Sequence, residues 1–394
     1  MKFVYCAFLL APTGKIKASS LHFLKSNRAR KLLRKNSDCG RCFMIRPFIG
    51  VAIQANVHMP NMTDNEVEVR KTMFKNLQRS CELIDWSARE LQRTRKTTMV
   101  AGVGESFLHS FPRARGGAVH DLLKVCIRIP GEEIQQLAKK AKENGIYIFG
   151  AAFEIDDEWG DQLFFNTGFL INPEGNVILK YRKNHGGPID SYTTPHDVLE
   201  EYTRKYGPDS LFPVVDTPIG RLGCMICSDG FLPETGRGLA LNGAEVILFP
   251  ISTFEPIHQQ YHLCCCSRAF ENNVYIISPN IGYTYSTERP ESVAGNSIIV
   301  DYLGRPLIAT ISTGETTISA LIDIESLRCY RETNAFSLLP WMRNETYLSI
   351  YKKTIHPANQ FLKNKKSTIS EEVEIHQKTI ESLYKRRIFS PPSE

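Results

Sequence analysis

"GCMICSDGFLPETGR", residues 223–237, can be read in two ways. Cys224 and Cys227 are three apart, the spacing of a redox pair or of half a zinc site. The flanking residues favour another reading. "RLGCMIC" at 221–227 is apolar and suits a strand, and "PETGRGLALNG" at 233–243 opens like a helix, with Pro233 first and Glu234 behind it. In an extended strand residues three apart face opposite ways, so Cys224 is expected in the core and Cys227 at the strand's carboxyl end. Open α/β sheets place ligands at that end, and a helix amino terminus beside a thiol is expected to favour the thiolate.

Similar units lie on both sides. "FIGVAIQANV" at 48–57 and "TTMVAGV" at 97–103 read as buried strands, separated by a helical pattern over 65–93. "PGEEIQQLAKKAKENG" at 130–145 carries Pro and acids at its start and Gly at its end, then "IYIFGAAF" returns as a strand. "FFNTGFLINPEGNVILKYRK" is two apolar runs around Asn-Pro-Glu-Gly, a hairpin, and "NSIIVDYLGRPLIATI" is a second. Beyond the elbow follow the strand "AEVILFP", a helix around 257–273 and the strand "VYIISPN". Alternating βα units broken by hairpins predict two sheets with helices outside, in one α/β domain over 47–325. Residues 326–394 read as a tail that packs on the body or on a partner.

The net charge of +6 is unevenly placed. Residues 1–46 hold eleven Lys/Arg against Asp38 alone, +10, which leaves −4 for the rest. A general nucleic-acid surface is therefore not expected, and the basic segment reads as a leader resembling a transit peptide, or as an extension upstream of Met44. The apolar run "FVYCAFLLAP" at 3–12 is too short to span a bilayer, so no membrane helix is expected. Eleven irregularly spaced cysteines do not form a disulfide framework and suit a reducing compartment, the cytoplasm or an organelle matrix. A redox or zinc protein built on Cys39/Cys42 and Cys224/Cys227 is the competing class.

A nucleophilic cysteine needs a base and a group that holds the oxyanion. His185 and His196 lie in an irregular loop, whereas Glu105 and Lys183 each follow a strand directly and would converge on the edge that carries Cys227. Lys180 and Arg182 are the neighbours that could take the lysine's role. This order, Glu105, then "KYRK" with Lys183, then "CSDGFLPETGR" with Cys227, resembles the nitrilase superfamily of carbon–nitrogen hydrolases. "NTGFLINPEGNVILKYRK", "RAFENNVYIISPN" and "GNSIIVDYLGRPL" extend the resemblance over roughly 48–325.

The resemblance implies a four-layer αββα sandwich of two mixed sheets and a hydrolase that works through a cysteine thioester. It implies Cys227 as nucleophile, Glu105 as general base and Lys183 with the Ser228 backbone N–H at the oxyanion, and requires no metal or cofactor. Family members have a second supporting glutamate, for which Glu201, with Glu200 close behind, stands at a similar distance. The family usually carries Pro before the first glutamate, where this chain has Gly104, and the stretch between Lys183 and Glu201 is longer than in many relatives. Ser228-Asp229 in place of Trp-Glu resembles the amidase and carbamoyl-hydrolysing branches, so the expected partners are an amide substrate and water. A nitrilase and a non-catalytic member used for association are the alternatives. Family likeness also implies a homodimer or larger assembly, with the tail as a contact.

Overall fold

Seven consecutive buried residues, "FIGVAIQ", make β1 (Phe48–Gln54), and a strand covered on both faces needs layers on both sides. The computed structural model describes residues 44–392 apart from 95–96, 111–118, 161–162, 188–189, 191, 254–256, 287–289, 294 and 361–368. The basic leader, with Cys39 and Cys42, lies outside the described residues.

The first sheet joins β1 to β3 (Met99–Glu105), β4 (Tyr147–Ile155), β5 (Phe164–Ile171), β6 (Val177–Arg182) and β15 (Thr316–Ile322), in the order β15-β1-β3-β4-β5-β6. β1, β3 and β4 run parallel, and the β5–β6 hairpin and β15 close the two sides antiparallel. The second sheet repeats this plan as β14-β13-β10-β9-β8-β7, from β7 (Val214–Thr217), β8 (Gly220–Cys224), β9 (Val246–Leu248), β10 (Tyr275–Ser278), β13 (Ile298–Val300) and β14 (Pro306–Ala309). Its centre, β8-β9-β10, is parallel. A small third sheet joins β2 (Val57–His58), β11 (Tyr283–Tyr285) and β12 (Pro290–Val293).

The sheets meet face to face. Phe149, Leu170 and Tyr181 of the first pack in one core with Leu248, Ile277 and Ile299 of the second. On the outside of the first sheet α1 (Glu66–Thr94) buries Val69, Met73, Leu77 and Ile84, spaced for one helix face, and α2 (Glu132–Asn144) buries Ile134, Leu137 and Ala141. α4 (Pro233–Leu241) and α5 (His258–Asn272) cover the other sheet with Leu239, Tyr261, Cys265 and Ala269. The result is an αββα sandwich of two mixed sheets, as the sequence predicts. Each large apolar side chain so buried contributes about 1.5–3 kcal/mol.

Three details differ from the sequence reading. The strand expected to run to Cys227 ends its ladder at Cys224. Met225 and Cys227 still donate backbone hydrogen bonds, to the carbonyls of Leu248 and Pro250, but the chain is already turning. An unexpected short helix, α3 (Leu199–Tyr206), follows the long stretch after Lys183 and carries Glu200 and Glu201. The chain after 325 continues in α6 (Ile324–Thr333), α7 (Asn344–Tyr351) and α8 (Ile369–Lys385), and Ile324 and Leu327 of α6 sit fully in the core.

Candidate active site

The site forms where the first sheet and the second release their strand ends together. Glu105 is the last residue of β3 and fully buried; its backbone N–H reaches across to the Ile251 carbonyl at 3.0 Å. A Cβ on Gly104 would stand 2.9 Å from the backbone nitrogen of Ile281, so the close contact between the sheets here requires glycine. Lys183 leaves β6 and is 2% exposed, and its Nζ donates to Glu105 Oε1 at 2.9 Å. Asn166 on β5 donates from Nδ2 to the same oxygen at 2.7 Å, and its carbonyl accepts the Lys183 backbone N–H at 2.9 Å.

Cys227 is the first residue of a tight 3₁₀ turn, Cys227–Phe231, that precedes α4, and its φ of +44° is one that side chains rarely adopt. Cys224 goes elsewhere, into the core against Gly168, where an added Cβ would lie 2.5 Å from its sulfur. The turn is held by buried Asp229. This carboxylate accepts from the Tyr181 hydroxyl at 2.6 Å, the Ile226 N–H at 3.1 Å, and the backbone and ring N–H of His185 at 3.1 and 2.8 Å. It thereby ties the elbow to the strand and loop that carry Lys183. The Ser228 hydroxyl adds a bond to the His185 carbonyl at 2.8 Å, so its side chain fastens the loop.

The electrostatics correct one expectation. Desolvation pushes the Cys227 thiol well above its ordinary pKa, and the Glu105 carboxylate beside it pushes the same way, outweighing the opposing pull of Lys183. The anticipated helix-end stabilisation of a thiolate is thus overridden by burial first and by the negative neighbour second. Lys183 is desolvated too, but Glu105 and the groups behind it more than compensate and hold it firmly charged.

Glu201, the expected second glutamate, is not brought to the site. It lies half-exposed on α3 in a pair with Arg204 at 3.7 Å, and Glu200 is also exposed. Tyr202 takes the inward place on that short helix. A second acid that acts on Lys183, besides Glu105, is Asp190: it accepts from the Tyr192 hydroxyl at 2.9 Å, and the Tyr192 ring lies 5.1 Å from Lys183 Nζ. Lys180 and Arg182 alternate to the opposite face of β6, where they pair with buried Glu154 beside a cavity of about 520 Å³. The sequence gives no site role to Asn166, Asp190, Tyr192 or Asp229, although Asn166 opens the family-like stretch "NTGFLINPEGNVILKYRK" and Asp229 stands two residues past Cys227.

The carbon–nitrogen hydrolase family model matches residues 75–332, and the chain belongs to that family. It is 29% identical over 265 residues to the omega-amidase NIT2 of Xenopus tropicalis, covering 66% of this chain and 86% of that one. Its structure is similar to Nit3 of Saccharomyces cerevisiae, a member of branch 10 of the nitrilase superfamily, with a TM-score of 0.55 and 22% identity over 74% of this chain and 96% of that one. It is also similar to the amidase of Nesterenkonia sp. AN1, one mutant of which carries the acetamide moiety of fluoroacetamide added at its active-site cysteine (TM-score 0.55, 16% identity, 78% and 97% covered). These likenesses to Nit3 and to the Nesterenkonia amidase show a shared fold, and the family match makes the protein a carbon–nitrogen hydrolase.

Proposed function

We propose that Cys227, Glu105 and Lys183 carry the reaction and that the substrate is a terminal primary amide. The observation that supports this reading above others is the fully buried Glu105–Lys183 pair at 2.9 Å beside a thiol whose pKa is raised. A thiol so raised is protonated at neutral pH and needs a base in contact with it. Glu105 takes the proton as Sγ bonds to the carbonyl carbon. Lys183 Nζ and the Ser228 backbone N–H stabilise the oxyanion. Collapse breaks the carbon–nitrogen bond, Glu105 passes the proton to the leaving nitrogen, and ammonia departs from the thioester. Glu105 then takes a proton from water, which attacks the thioester and releases the acid and the thiol. Asp190, through Tyr192, supports Lys183 in the part expected of Glu201.

That relatives are omega-amidases supports, for this chain, an amide at the far end of a carboxylic acid rather than a nitrile, and succinamate and glutaramate are the simplest probes of that class. A panel of such ω-amides, simple amides, N-carbamoyl amino acids and nitriles tests this by ammonia release. Succinamate or glutaramate should turn over fastest and Cys227→Ala should release none; turnover unchanged in Cys227→Ala would refute the assignment. We place the enzyme in a reducing compartment such as the cytoplasm, which the free thiols of Cys81, Cys126 and Cys329 support. We further propose a homodimer through the exposed apolar face of α4, α5 and α7.

A further inference from the structure

Buried polar atoms without partners are uncommon, and the active site holds two of them side by side in function. Glu105 Oε2 and Asn166 Oδ1 are both buried and accept no hydrogen bond from the described residues, while the other halves of the same two groups are bonded to each other. Glu105 Oε1 takes two donors, Lys183 Nζ at 2.9 Å and Asn166 Nδ2 at 2.7 Å. The carboxylate is therefore not symmetrical. One oxygen is saturated, and the other is left open in a group that acts on the Cys227 thiol.

Asn166 is well placed to impose that asymmetry. It lies on β5, between β4 and β6 in the sheet, and is fully buried. Its backbone carbonyl fixes the Lys183 main chain at 2.9 Å while its side chain grips Glu105. One residue thus sets both the base and the cation. A lysine alone would not do this, because an ammonium on a flexible stem can bridge either carboxylate oxygen, or both.

We propose that Asn166 is a positioning residue of the amidase reaction: its amide pins Glu105 Oε1 so that Oε2 alone receives the proton of Cys227 and delivers it to the leaving nitrogen. The inference rests on the assignment of Glu105 as base. An amide suits the position because it donates without adding charge. An aspartate there would place a second carboxylate against Glu105, and the pair would hold a proton to higher pH.

The test uses the full-length protein with Asn166→Asp and the smaller, neutral Asn166→Ser, each checked for wild-type melting behaviour. Two readouts are taken across pH 5–9: kcat and KM for ammonia release from glutaramate, and the rate of Cys227 carboxamidomethylation by iodoacetamide, read on the Cys227 peptide. Asn166→Ser should lower kcat by about 10- to 100-fold, within the range of general-base effects, with KM changed less than about threefold. Asn166→Asp should move the acid limb of both profiles upward by about one pH unit or more. Unmoved limbs in Asn166→Asp together with a wild-type kcat in Asn166→Ser would overturn the positioning role. A purely structural residue would lower the melting temperature and leave the limbs in place. Absence of ammonia from the wild type would defeat the amidase assignment, and the alkylation profile would still decide the role of Asn166.

Discussion

Buried charge is the dominant energetic fact at the scale of single residues. Glu105 and Lys183 are 0% and 2% exposed, and each is tolerable only because of the other. Lys183→Met should leave an unpaired buried carboxylate, costing about 3–5 kcal/mol in chemical denaturation as well as removing most turnover. A stability within about 0.5 kcal/mol of wild type would mean that the pair is not the anchor described here. His109 gives a second prediction. Its ring is fully buried, its Nδ1 donates to the Ser110 carbonyl at 2.7 Å, and desolvation holds its pKa down at about 4, against 6.5 in the unfolded chain. The unfolded state therefore binds a proton that the folded state refuses between these values. Stability should be complete above pH 6.5 and fall by up to about 3 kcal/mol as pH drops to 4. His109→Phe should flatten that slope in urea titrations at successive pH values, and an equal slope would contradict the assignment. The meeting of Glu105 and Lys183 was legible in the sequence because each stands directly at a strand end, whereas Cys227 could be picked out only from the apolar run that turns into a helix, three residues beyond the end of β8. Glu201 was misplaced because distance along the chain says nothing about which side of α3 a residue occupies. Asp190 and Tyr192 sit in a loop with no periodicity to read.

Among the elements, the strand ends have to meet to within a few tenths of an ångström. Gly104 shows this: an added methyl would press on Ile281 N and Cγ2 at 2.9 Å and on the Asn280 carbonyl carbon at 3.0 Å. Gly104→Ala should therefore cost about 1–3 kcal/mol and also displace Glu105, lowering kcat more than KM. A fully active, equally stable variant would show that the junction is looser than described. Glycine before Glu105 fits this packing. The elements themselves were readable because runs such as "FIGVAIQ" and the face of α1 have clear periods, and the β5–β6 hairpin has its turn residues. The end of β8 was not, since Met225 and Ile226 are as apolar as the strand before them while the positive φ at Cys227 leaves no mark in composition.

At the scale of the whole molecule, exposed apolar side chains gather on α4, α5 and α7. Leu241, Leu263 and Phe270 are exposed on α4 and α5, and Tyr347, Leu348, Ile350 and Tyr351 on α7. A bond from the Tyr351 hydroxyl to Glu234 at 2.7 Å brings α7 beside α4, so these residues share a region. The homodimer proposed through this face predicts twice the chain mass of 44.7 kDa in light scattering at micromolar concentration. Leu263→Glu should shift that mass toward the monomer; a wild-type monomer would contradict the proposed pairing.

In the proposed reaction Cys227 forms a thioester with the acyl part of an amide while Glu105 and Lys183 manage the proton and the oxyanion. Acid quench during steady turnover of glutaramate, followed by intact-mass analysis and peptide mapping, tests it most directly. An adduct with the mass of glutaramate minus ammonia, which equals the product acid minus water, is expected on the Cys227 peptide, absent from Cys227→Ala and lost on treatment with hydroxylamine. Turnover with no adduct on Cys227 at any quench time, and an alanine variant that still releases ammonia, would contradict it.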